Sequence, residues 1–204
     1  MDVTLLAVGC LLPRAASAHA QSVSWFQAGA AHAFTSEPNT GPRLGFTVFR
    51  MSGKVWWGLD AAYLWLGTQA HLPTYTDRAS DWFIGPAVVT RLPRTTSLLT
   101  VGLDVAAVQR ARTYPPSISS GHPTAETIQV NRYSIAPHLA VSAPLLRTGA
   151  MGIRLIARTD VPITIATSTS GSSASPAPSG AAGHLIVSVA AALEWHPTSR
   201  ARPN

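Results

Sequence analysis

Leu98–Arg112 reads LLTVGLDVAAVQRAR, and its two faces cannot share one environment. Leu99, Val101, Leu103, Val105 and Ala107 make one side wholly aliphatic. Thr100, Gly102, Asp104, Ala106, Val108 and Arg110 make the other, with a carboxylate in mid-strand. Alternation of period two is the signature of an extended strand. A soluble sandwich would turn the aliphatic side inward and Asp104 to water. A membrane-spanning barrel does the reverse, with lipid outside and a polar interior.

The same pattern recurs on either side. Val55–Leu66 sets Val55, Trp57, Leu59, Ala61, Tyr63 and Trp65 against Trp56, Gly58, Asp60, Ala62 and Leu64. In the next segment Trp82, Ile84, Pro86, Val88 and Leu92 oppose Phe83, Gly85, Ala87, Val89 and Arg91. Pro86 suits a bulge better than a regular ladder. Alternation is weak over Ser24–Phe34 and returns over Arg43–Arg50 through Leu44, Phe46 and Val48. Further on, Tyr133, Ile135, Leu139 and Val141 alternate with Ser134, Ala136, His138, Ala140 and Ser142. A segment from Met151 to Ile165 follows, carrying Arg154, Arg158 and Asp160 on its polar face, and His184–Trp195 ends the series. The expectation is an all-β chain, a closed antiparallel up-and-down transmembrane β-barrel of about eight strands. Connections after the first, third, fifth and seventh strands, such as Thr35–Pro42, Gly67–Ser80 and the low-complexity Ser168–Gly183, are expected to be long. Those after the second, fourth and sixth, including Ser52–Lys54, Pro93–Thr96 and Leu145–Gly149, are expected to be tight. That rhythm suits long extracellular loops and short periplasmic turns.

Composition agrees. The chain has 204 residues, 46% apolar and only 12% charged. Its apolar runs all fall short of the ~20 residues of a spanning helix, which leaves the closed barrel as the spanning structure. The basic residues occur singly along alternating strands, not in a tract, so nucleic acid is excluded as a partner. Residues 1–20 read as an export signal, with the apolar run Val3–Leu12 before Ala18-His19-Ala20 and cleavage before Gln21. Cys10 weakly suggests a lipoprotein alternative; if it leaves with the signal, the mature chain carries no thiol. The barrel then occupies 21–195, and 196–204 form a short tail.

Aromatic residues cluster at the strand ends, with Trp56, Trp57 and Trp195 near the short turns and Tyr63, Trp65, Trp82 and Tyr133 near the long loops, as two interfacial belts require. In pattern and loop rhythm the mature chain resembles the small outer-membrane barrels of the OmpA/OmpX superfamily. The resemblance implies residence in the bacterial outer membrane, with outer-membrane lipid and lipopolysaccharide as surroundings and the barrel-assembly machinery as a partner during biogenesis. Members commonly end on an aromatic residue that aids assembly; Trp195 fits, but a tail follows it.

The inward face carries a candidate charge network: Arg91, Arg154 and Glu194 near the short-turn end, and Asp60, Asp104, His138 and Arg158 in a layer further in. A barrel of about eight strands is just wide enough for side chains, so these charges are expected to plug it. Asp104 and His138, on neighbouring strands, read first as a structural salt link and second as an acid–base pair. His184 and Ser188 are the serine–histidine candidates of a lipid-modifying hydrolase, but four residues along a strand separate them by ~13 Å. The seven histidines show no metal-binding spacing. The reading is therefore a non-enzymatic, cofactor-free, porin-like barrel with a structural, surface-interaction or small-solute role. Its rival is a soluble lipocalin-like ligand-binding barrel with the faces inverted.

Overall fold

The structure, a computed structural model, describes residues 22–34, 39–52, 54–71, 75–116, 125–171 and 185–196. The export segment with Cys10, His184 and the tail beyond His196 lie outside these residues, as do parts of the expected long connections. Every regular element among the described residues is a strand: β1 (Ser22–Phe34), β2 (Asn39–Ser52), β3 (Val55–His71), β4 (Tyr75–Arg91), β5 (Leu98–Tyr114), β6 (Glu126–Thr148), β7 (Met151–Asp160), β8 (Ile163–Ser170) and β9 (Leu185–Trp195).

All pairings are antiparallel and sequential from β1 to β7; β9 then pairs with both β7 and β1, closing a ring of eight positions. The single expected seventh strand is two pieces. Pro162 lacks the amide hydrogen that a ladder needs, and the segment breaks after Asp160. β7 and β8 nonetheless lie end to end along β6, opposite His138–Thr148 and Gln129–Ile135 respectively, so the ring still counts eight. The closing seam joins Gln27–Ala31 of β1 to Ser188–Ala192 of β9, where Ala28 faces Ala191 and Gly29 faces Ala190. A side chain on Gly29 would run into the β9 backbone, so glycine permits the strands to approach there.

The Gly67–Ser80 segment is not the long loop its polarity suggests. β3 and β4 run on through it in register to His71 and Tyr75, with a bulge at Trp65/Gly67. Much of Thr35–Pro42 likewise belongs to β2. Polar strands can continue past the apolar zone because the ladder satisfies their backbone groups whatever the side chains meet. Pro86 pairs with Leu59 on one side and leaves a gap in the β4–β5 ladder on the other, without a register shift. Bulges occur instead at Pro144/Leu146 and at Tyr133/Ser134.

The faces are those of a membrane barrel. On β5, Leu103 is 50% exposed and Val105 60%, whereas Asp104 between them is fully buried. A lipocalin-like arrangement requires the opposite. Trp57 and Trp195 face outward at the short-turn end. Toward the other end Tyr63, Trp82 and Tyr133 fall in one register row across β3, β4 and β6, bridged by Ala107 of β5. From Trp57 to Trp65 the strand rises ~27 Å, about 20 Å along the normal once tilted, close to the apolar band of such barrels. Trp56 departs from the expected belt: its odd-numbered neighbours face out, so it turns into the lumen and packs against the buried apolar cluster there.

Candidate functional site: a filled lumen

Two apolar layers bracket a charged one inside the barrel. Nearer the short turns lie Val23, Trp25, Phe49, Val89, Leu98 and Ile156; nearer the long-loop end lie Leu64, Leu66, Phe83 and Ile186 with small alanines. On β1, β4, β5 and β6 alike, the inward positions between these clusters are polar or glycine, and on β9 they are Ser188 and Ala190. The register follows from sequence, since each inward residue sits two positions from the next.

Arg158 of β7 is the hub of the charged layer. Its guanidinium donates to Asp60 of β3, to Asp104 Oδ2 of β5 at 2.6 Å and to Asp160 Oδ1 at 2.6 Å, binding carboxylates from three strands. His138 Nδ1 lies 3.0 Å from the same Asp104 oxygen. Arg43 of β2 donates to Asp160 Oδ2 at 2.7 Å, and its guanidinium carbon stands 5.4 Å over the Phe83 ring. Thr47 donates to Asp60 at 2.5 Å while accepting from Gln27 at 2.7 Å, which carries the network to β1. Asp60, Asp104, His138, Arg158, Arg43 and Asp160 are all at most 5% exposed. Asp60, Asp104 and His138 bring donor atoms within 4.8 Å of one another, the spacing of a cation site. Arg158 bonds both of those carboxylates and supplies the positive charge itself.

Two glycines make room for this layer. A side chain at Gly102 would overlap the His138 ring, and one at Gly85 would come within 2.7 Å of Asp104 Oδ1. Each small residue sits beside a bulky polar one on the next strand.

At the short-turn end Arg154 donates to Glu194 at 3.0 Å and to Ser142 Oγ at 3.2 Å, with its guanidinium carbon 5.5 Å over Trp25. Glu194 also accepts from His196. Arg91 is brought to the same mouth, lining a cavity of about 310 Å³ with Arg154 and Glu194, but it is exposed and makes no ion pair among the described residues. Towards the long-loop end Arg110 and the fully buried Asp81 form a third pair at 2.5 Å.

Of the residues expected in the network, Asp60, Asp104, His138 and Arg158 meet in one layer, and Arg154 and Glu194 pair at the mouth. Arg43, Thr47, Asp81, Arg110 and Asp160 belong as well. Asp160 and Arg110 have the inward parity that marked the others. Arg43 and Asp81 stand next to segments whose Pro, Gly and Ser content reads as loop. Ser188 is buried on the inward face of β9, and its proposed partner His184 lies outside the described residues.

No sequence-family profile matches the chain, nor does any curated protein. Solved structures do. Neisserial surface protein A (NspA) superposes with a TM-score of 0.56 at 8% identity, covering 85% of this chain and 96% of that one. Ail, the attachment invasion locus protein of Yersinia pestis, in complex with the heparin analogue sucrose octasulfate, gives 0.52 at 10% identity, covering 87% and 99%. At such identities the likeness is one of fold. The fold is that of the small eight-stranded outer-membrane β-barrels.

Proposed function

We propose that this chain is an integral outer-membrane β-barrel, exported through a cleaved signal peptide, whose lumen is plugged by side chains and whose role is structural or at the cell surface. The inverted faces carry the reading: aliphatic side chains outward at 40–60% exposure, charges buried within. Such a surface is stable only against lipid, and the charges only against one another. Between the three roles expected, the filled lumen favours structure and surface interaction over solute passage. An acid–base role for Asp104 and His138 finds less support, because Arg158 engages the very oxygen that faces His138.

Fractionation of the expressed protein, followed by gel migration with and without boiling, tests the membrane assignment. Outer-membrane recovery with a heat-dependent shift is the expected result; a detergent-free soluble monomer overturns it. Planar-bilayer recording tests the plug separately: steady conductance of a wide aqueous pore would refute it.

A further inference from the structure

The short-turn end of the barrel holds far more positive charge than its own residues can neutralise. Lys54, Arg91, Arg94, Arg147 and Arg154 lie there, and the acidic residue among the described ones at that end is Glu194, already bound to Arg154. Arg91, Arg147 and Arg154 line the 310 Å³ cavity with Leu98, Pro144 and Leu146; Lys54, Arg94 and Arg91 line an adjoining one, and Trp56 is common to both. Lys54, Arg91, Arg94 and Arg147 are exposed and make no ion pair among the described residues. The backbone adds a further sign: Arg94 sits at φ 59°, a left-handed conformation that glycine would hold more easily.

The level of this patch identifies its partner. Trp57 and Trp195 face outward at the same rim, where indole rings mark the headgroup layer. Beside them the β6–β7 hairpin exposes Leu145 at 63% and Leu146 at 58%, so cations and apolar side chains stand together at the interface. A ligand that is an anion at one end and hydrocarbon at the other meets both.

Resting on the outer-membrane reading above, we infer that the short-turn mouth is a binding site for the phosphodiester headgroup of an anionic lipid in the adjacent leaflet. Arg91, Arg94, Arg147 and Lys54 hold the phosphate, and Leu145 and Leu146 contact the chains. Basic clusters at a membrane face attract anionic lipid with a strength that adds per cation and is screened by salt.

The test uses the full barrel reconstituted in phosphatidylcholine vesicles, with spin-labelled phosphatidylglycerol or phosphatidylcholine as the probe. The fraction of motionally restricted probe is expected to be several-fold higher for phosphatidylglycerol at low salt. That preference is expected to disappear in the triple variant Arg91→Gln, Arg94→Gln, Arg147→Gln and to survive Arg78→Gln at the opposite end. Equal restriction of both lipids overturns the inference, as does a preference that follows Arg78. Millimolar glycerol phosphate is the competing arm: if it abolishes the preference, the site takes free phosphate and the lipid assignment falls. Retained heat-modifiability in each variant shows that the barrel has formed, so the outcome bears on the site and not on the membrane assignment.

Discussion

The middle of the lumen and its short-turn mouth are built from the same residue types used in opposite ways. In the middle, Arg43 and Arg158 are outnumbered by Asp60, Asp104 and Asp160, and each guanidinium is held by carboxylates from other strands. At the mouth Arg154 takes the carboxylate of Glu194, and Lys54, Arg91, Arg94 and Arg147 make no ion pair among the described residues. Matched charges out of water fix which strand sits beside which, since a register slip would separate partners that cannot reach solvent. Unmatched charges at the edge of water fix nothing within the chain and remain for something outside it.

The sharpest way to break that contrast is at the hub. Arg158→Met leaves three carboxylates without their shared partner and is expected to cost on the order of 3–5 kcal/mol. The readout is a lower urea midpoint in vesicles and a lower temperature for the gel-mobility shift. Asp104→Ala is expected to act in the same direction, and unchanged heat-modifiability there would show that the layer does not lock the barrel. Next come Gly102→Ala and Gly85→Ala, which overpack the same layer without removing a charged group; each should cost about 2 kcal/mol in the same unfolding experiment. At the mouth Arg154→Gln weakens a charged hydrogen bond near solvent, with an expected loss of about 1.5 kcal/mol. Smallest and opposite in sign, Arg94→Gly relieves a left-handed backbone and should raise stability by about 1 kcal/mol. A loss there would mean that the Arg94 side chain serves the fold.

The strand faces were legible because inward and outward positions differ so strongly in this chain. Asp104 among aliphatic neighbours and Asp60 among tryptophans admit one orientation once lipid is the surrounding solvent. Which charges meet was legible only in part. Counting from the short turns places Asp60, Asp104, His138 and Arg158 at one depth, but Arg43 comes to that depth through the stagger of the ring, a property of pairing across strands. The extent of β3 and β4 escaped for a different reason: Gly67–Ser80 is polar, and polarity signals a loop only where a strand must bury one side. Trp56 shows the limit of clustering as a belt signal, since two adjacent tryptophans necessarily face opposite ways along a strand.

The alanine- and glycine-rich seam between β1 and β9 bears on how the ring comes to exist. Its partners stand at opposite ends of the sequence, so bringing them together carries the largest loop-closure entropy of any pairing in the molecule. The other junctions are hairpins or near neighbours and can form from local contacts. Ala28 opposite Ala191 also offers almost no cross-strand side-chain contact to reward closure early. The barrel is therefore expected to assemble as a curled open sheet that joins its edges last, and to come apart first along the same line.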